Sequence, residues 1–321
     1  MLSIKQICIC LYTSVIVVIS GLGSYAQAQE KIAEQDGLGL KLEELLSEKG
    51  KFRFEAGSTF SASRRDGAAG LYRTIQTGIG EFVTVPVGLG PTNRQSETLL
   101  TTVGLRYGLT EKSEIYTRAT YRFDNSRFAD SINDAMENRS SNAFQSHVVG
   151  INYRFLDDDK YPALIGFADI ALFENTASSG TKLHSAKSGA VGFTTYRVID
   201  PVVISMTAGY RPNLTRKVDS QEINPGDTLF INPSIAFAVN NEMTLTGGFG
   251  LNFTGADTLD GVKRGTRNTN ADLQFGLAYA WDKNTTLRAD ARTEVLGESG
   301  FTVGLTLTRK FGQKQQQVKG E

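Results

Sequence analysis

The chain has 321 residues with 34 Lys+Arg against 34 Asp+Glu, a formal net charge of zero that removes the electrostatic case for a nucleic-acid partner. Its 33 glycines, 7 prolines and 2 histidines suit a turn-rich β protein and leave little material for histidine-based chemistry. Mean hydropathy is -0.22, ordinarily the value of a soluble protein, but membrane strands need only alternate apolar residues, so a β-barrel escapes that exclusion.

The first residues, MLSIKQICICLYTSVIVVISGLGSYAQAQE, carry Lys5, an apolar run from Ile7 to Ile19, and the small-x-small site Ala26, Gln27, Ala28. The run is well short of the ~18 residues that cross a bilayer as a helix, so residues 1–28 read as a secretory signal peptide cleaved after Ala28. Cys8 and Cys10 both fall in that leader, and a mature chain starting at Gln29 carries no thiol, disulfide or Cys-based metal site.

Residues 29–50 read as a periplasmic segment with a short helix. Leu38, Leu42, Leu45 and Leu46 fall at i, i+4, i+7 and i+8, Glu43 and Glu44 lie in the early turns, Lys49 in the last, and Gly50 ends it. About ten residues make a marginal helix alone, so it needs a surface to pack on.

From there to Phe311 the pattern is alternation. Twelve runs show it: 51–63, 97–108, 113–123, 144–155, 163–174, 187–198, 202–211, 228–239, 243–254, 269–281, 285–296 and 300–311. Eleven residues at roughly 3.3 Å each and a tilt near 40° span about 28 Å, the height of the apolar band of an outer-membrane barrel. Short connections (109–112, 157–161, 199–201, 240–242, 282–284) alternate with long ones (64–96, 124–143, 175–186, 212–227, 255–268), GESG near 297–300 being the brief exception. Short periplasmic turns and long extracellular loops produce that bookkeeping, and a soluble sandwich has no reason to keep it. Leu71–Val85 is a further candidate strand. Because both termini belong on one side, an even number is required, so this segment is placed in the first long loop, folded over or into the barrel mouth, with fourteen strands as the alternative.

The fold class expected is therefore all-β, a transmembrane antiparallel up-and-down barrel over residues 51–311 with an N-terminal plug helix and a polar tail at 312–321. Parity sorts its faces. Val103, Leu105, Tyr107, Ile115, Ala119, Tyr121 and Phe123 are assigned to lipid, as are Phe301, Val303, Leu305, Leu307 and Phe311, with Arg309 snorkelling at the interface. Leu273, Phe275, Leu277, Tyr279 and Trp281 continue that face into an aromatic girdle. The lumen receives Arg53, Glu55, Arg106, Glu114, Tyr116, Arg118, Arg122, Arg154, Arg211, Asp272, Arg288, Asp290, Arg292 and Glu294. Their mixed signs argue against strong ion selectivity, and they either line a channel or pair across strands to fill it.

The stretch GLRYGLTEKSEIYTRATYRF resembles the hairpin of outer-membrane transporters grouped as the meta-pathway phenol-degradation family, and also the twelve-stranded barrels that secrete functional amyloid subunits. The resemblance covers most of residues 40–311, with Leu105–Ile115 as its most specific part. It implies an outer-membrane location in a Gram-negative bacterium and a barrel channel. The amyloid exporters add a plug helix like LKLEELLSEKGKFRFEAG (40–57), while the long coiled coil that precedes it in those proteins has no counterpart here. A last strand ending at Phe311 resembles the signal read by the barrel assembly machinery.

An enzyme is disfavoured. The dyad of an outer-membrane phospholipase needs His and Ser two residues apart on one strand, but Val149 occupies that place after His147, and Ser146 points to the other face. The run Asp157, Asp158, Asp159 lacks the spacing of a calcium loop and reads as a solvated turn, and no cofactor or metal is expected. The expected function is a helix-gated outer-membrane channel moving a small hydrophobic or aromatic solute, or a secreted polypeptide such as an amyloid subunit. The alternative is a structural or adhesive barrel acting through loops 64–96 and 124–143. Partners are outer-membrane lipids, the assembly machinery and the cargo, with homo-oligomerisation left open.

Overall fold

The computed structural model describes residues 46–66, 72–78, 80–86, 93–129, 136–177, 181–218, 220–264, 267–297 and 299–312. The strands are β1 (Phe52–Asp66), β2 (Tyr72–Gly78), β3 (Glu81–Pro86), β4 (Asn93–Thr110), β5 (Ser113–Ala129) and β6 (Met136–Leu156). Next come β7 (Ala163–Asn175), β8 (Leu183–His184), β9 (Gly189–Ile199), β10 (Val202–Arg211), β11 (Arg216–Val218) and β12 (Gln221–Asn224). The chain continues with β13 (Thr228–Ala238), β14 (Met243–Thr254), β15 (Asp257–Leu259), β16 (Val262–Arg264), β17 (Asn268–Asp282), β18 (Thr285–Leu296) and β19 (Ser299–Phe311).

Twelve of these close into one antiparallel barrel, in the order β6-β5-β4-β1-β19-β18-β17-β14-β13-β10-β9-β7, and β6 pairs with β7 to seal it. The first and last strands meet in register, Phe52 beside Phe311 and Phe60 beside Val303. Closure removes the sheet edge, the condition for strands to cross a bilayer without unpaired backbone groups. All twelve alternating runs are barrel strands. The fourteen-strand alternative is excluded, because β2 and β3 pair only with each other.

The alternation becomes two surfaces. Outward side chains leave Val103 47 %, Ile204 51 % and Phe275 60 % exposed, whereas the inward Glu114 and Arg122 are at 0 %. This inversion of the usual burial pattern is stable only if the outside meets acyl chains. Outward rings gather at the short-turn end, where Phe52 packs on Tyr107 at 4.6 Å and Tyr153 on Phe155 at 4.9 Å. Arg309 lays its guanidinium over the Phe311 ring, which shelters a charge at the interface.

Three expectations are corrected. The loops placed at 64–96 and 124–143 are partly strand, because β4, β5 and β6 run on for 18, 17 and 21 residues. Polar cross-strand bonds carry the wall upward, Thr98 donating to Asp124 (2.7 Å) and Asn125 to Glu97 (3.3 Å). The end of the N-terminal helix is also corrected. Residues 46–50 are not helical, with Lys49 bridging Gly108 in place of a last helical turn and Gly50 in a turn; Leu38, Leu42 and Leu45 lie outside the described residues. Finally, the acidic turn is not simply solvated, since Asp158 accepts from the Arg197 guanidinium (3.1 Å) and the Val198 N–H (2.8 Å).

At the other end, two loops are stitched together by a small sheet, β11-β12-β15-β16, over a core of Ile223 and Leu259.

Candidate functional site: an occupied lumen

The hairpin β2–β3 comes from the first long loop and lies within the barrel. Both its faces are buried, Ile75, Gln76, Phe82, Val83 and Val85 each being under 9 % exposed, which a ribbon achieves only when surrounded. One face packs Ile75, Val83 and Val85 on Leu100, an apolar residue at a lumen-facing position of β4. Polar contacts tie it to the wall all round. Arg211 donates to the Phe82 carbonyl (3.1 Å), Gln145 to the Thr84 carbonyl (2.8 Å), Arg73 to Ser61 (3.1 Å), and Gln274 to Gln76 (3.4 Å).

At the tip, the Glu81 carboxylate is held between Arg106 and Arg118, each at 2.8 Å. Arg106 and Arg53 stand directly opposite in register on β4 and β1, a like-charge pair that would repel. Two carboxylates resolve it. Glu55 takes Arg106 Nε at 2.9 Å, and Glu114 takes Arg53 at 2.9 Å on Oε2 and Arg106 at 3.1 Å on Oε1. Asn152 also donates to Glu114 Oε1 (2.9 Å), and the Arg106 guanidinium lies over the Tyr116 ring. Tyr116 in turn donates to Asp169 (3.2 Å).

Glu114 has a further role. Its Oε2 accepts from both the N–H and the hydroxyl of Ser47, at 2.6 Å each. The N-terminal segment is thereby fixed across the short-turn end: Gly50 N–H donates to the Gly108 carbonyl (2.8 Å), and a Cβ at Gly108 would sit 2.1 Å from the Glu48 carbonyl oxygen. Leu46 reaches the opposite wall, packing with Ala163, Ile165, Tyr196 and Val203. Gly108 and Glu114 of this hairpin thus hold residues 47–50, while Arg106 links Glu114 to Glu81 of the β2–β3 tip.

Not all the lumen residues read from the sequence come together. Arg53, Glu55, Arg106, Glu114, Tyr116 and Arg118 form one cluster. Arg122 sits higher, paired with Asp124 at 2.8 Å and donating to the Ala177 carbonyl. Arg154 pairs with Asp157 (3.4 Å) at the short-turn end. Arg211 joins the hairpin tip. The remaining five form a looser ladder on β17 and β18, where Asp290 lies 3.9 Å from Arg288 and 3.8 Å from Arg292, Asp272 accepts from Gln274, and Glu294 meets Arg73 of the hairpin at 3.7 Å. His147 bonds Thr117 on the outer wall (2.7 Å), and Phe311 ends β19 facing outward. Among the described residues no group of His, Cys, Asp or Glu is placed to hold a metal ion.

Sequence reasoning missed Glu81, Phe82, Leu100, Phe167, Phe230 and Asn232. A signal existed. Leu100, Ile165, Phe167 and Phe230 are apolar residues at lumen-facing positions, and each requires an apolar partner inside the barrel.

A closed cylinder of twelve strands with an apolar exterior and a charged, occupied interior defines an outer-membrane β-barrel of a Gram-negative bacterium. Residues 56–307 match the family described as "Putative MetA-pathway of phenol degradation", and the chain belongs to it. Among curated proteins no sequence match is found. Among solved structures, an outer membrane channel from Pseudomonas putida F1 is similar at 10 % identity and TM-score 0.59, covering 88 % of this chain and 100 % of that one. The translocator domain of the autotransporter NalP from Neisseria meningitidis follows at 10 % identity and TM-score 0.49, covering 84 % and 91 %. The toluene transporter TodX of Pseudomonas putida gives 10 % identity and TM-score 0.41 over 81 % and 89 %. Family and fold agree with the expectation that the chain is not an enzyme.

Proposed function

We propose that the protein is an outer-membrane channel for small hydrophobic or aromatic solutes whose lumen is closed at rest by its own first loop. The observation that carries this reading is the hairpin 72–86, buried on both faces inside the wall and pinned at Glu81 by Arg106 and Arg118. A barrel serving only as a scaffold or adhesin has no need of a second, separately anchored element in its interior. The family match and the likeness to a channel barrel support the same direction.

The gate assigned to the N-terminal segment retains a part. Residues 46–50 cross the short-turn end beneath the hairpin, so a solute meets two barriers in series. Export of an unfolded polypeptide, such as an amyloid subunit, would demand that both leave together, whereas a small solute needs only local displacement. The smaller cargo is therefore the one proposed.

Planar-bilayer recording tests this. Deleting residues 72–86 raises single-channel conductance several-fold, and Glu81→Ala raises the frequency of openings at the same conductance. Silence in both variants, with the barrel folded, would end the channel reading.

A further inference from the structure

The apolar wall of the lumen contains a seat built for a ring. Phe167, Gly192, Gly209 and Phe230 form one inward row across β7, β9, β10 and β13. The two rings lie over the two glycines: a Cβ at Gly192 would be 2.5 Å from Phe167 Cζ, and one at Gly209 would be 2.5 Å from Phe230 Cζ. Phe167 and Phe230 are stacked with centroids 6.4 Å apart. The occupant is the hairpin's own Phe82, its centroid 4.6 Å from that of Phe230.

Beside the seat, at the next inward position of β13 and in register with Thr207, stands Asn232. It is 4 % exposed, and among the described residues neither its amide nitrogen nor its amide oxygen has a hydrogen-bond partner. Thr207 is engaged with Thr194 at 2.8 Å. Buried amides are almost always paired, and a phenyl ring cannot pair this one. An apolar site with one convergent polar group is the usual form of a small-molecule site.

We infer that Phe82 holds the place of a ligand, and that the seat formed by Phe167, Phe230 and Asn232 binds a monocyclic aromatic bearing one hydrogen-bonding substituent, of which a phenol is the simplest. The inference rests on the channel reading, since the lumen is the route to the seat. The incoming ring replaces the contacts of Phe82, and its hydroxyl satisfies Asn232, so exchange favours the solute by the bond that Phe82 leaves unmade. Displacement of Phe82 loosens the hairpin tip while Arg211 still holds its backbone.

The test uses the full chain in lipid nanodiscs with 4-fluorophenol and 4-fluorotoluene as probes, followed by fluorine NMR. Phe82→Ala vacates the seat and tightens 4-fluorophenol binding by about tenfold or more, because the native site is available only in the fraction of molecules with Phe82 displaced. Adding Asn232→Leu abolishes the preference for 4-fluorophenol over 4-fluorotoluene. Phe82→Leu, which refills the seat, returns binding to the native level. The inference is overturned if unaltered and Phe82→Ala chains bind alike, or if the folded Phe82→Ala chain, checked by heat-modifiable migration, binds no more than empty nanodiscs. A hairpin-deleted chain that conducts ions without probe binding removes the seat and leaves the channel standing. Probe binding without conductance supports the seat and removes the channel.

Discussion

At the scale of single residues, Glu114 concentrates the most interactions. One fully buried carboxylate accepts from Ser47, Arg53, Arg106 and Asn152, and so joins the N-terminal segment, three wall strands and, through Arg106, the hairpin tip. Glu114→Ala leaves two guanidinium groups with one carboxylate fewer between them. Breaking a buried pair from one side costs about 3–5 kcal/mol, and guanidinium unfolding in lipid vesicles should show a loss of that order. The same variant should expose the chain near Ser47 to protease added at the short-turn face, whereas Asn152→Ala should do neither. The motif LRYGLT is legible in the sequence as a strand and a turn. Its chemistry was not, because Gly108 and Glu114 also receive residues 47–50, and Arg106 receives Glu81, from segments that no local pattern connects to them.

At the scale of elements, the hairpin and the wall are stabilised by different means. The wall is a closed hydrogen-bond ladder, while the hairpin rests on side chains, with Leu100 at the centre of its apolar contact. Leu100→Ala removes contacts to Ile75, Val83 and Val85 and should cost the seating of the hairpin about 2–5 kcal/mol without disturbing barrel closure. Limited proteolysis should then cut within residues 72–86 while the barrel keeps its heat-modifiable migration. A hairpin that stays protected in that variant would assign its seating to Glu81 and Arg211 instead. The helix expected over residues 38–49 illustrates a competition at this scale. Its leucine spacing is helical, yet Leu46–Gly50 are not helical, because the neighbouring wall offers them the Gly108 carbonyl and the Glu114 carboxylate, more than a marginal helix end supplies.

At the scale of the whole molecule, the two faces of the cylinder make opposite demands on charge. Phe275 lies midway along β17, outward and 60 % exposed; Phe275→Arg should cost about 2–4 kcal/mol in bilayer refolding. Thr308→Arg, on the lumen side of β19, should cost far less, since its register partner on β1 is the carboxylate Glu55. Spin labels give a second check: at Val303 and Leu305 they should sense oxygen dissolved in acyl chains, and at Thr302 and Thr306 a water-soluble relaxant. The reverse pattern would turn the barrel inside out and with it every functional statement above.

The sequence by itself determined the all-β barrel class, twelve alternating runs with their inner and outer faces, and the family. The class, the runs and the faces follow from a period of two and from connection lengths, and the family from the likeness of the Leu105–Ile115 hairpin, all local properties of the chain. Only the tertiary structure decided what fills the barrel. Whether a polar-looking loop stands outside or folds inward depends on contacts between residues as distant as Gln76 and Gln274, or Phe82 and Arg211, and closure of the cylinder is what brings them face to face.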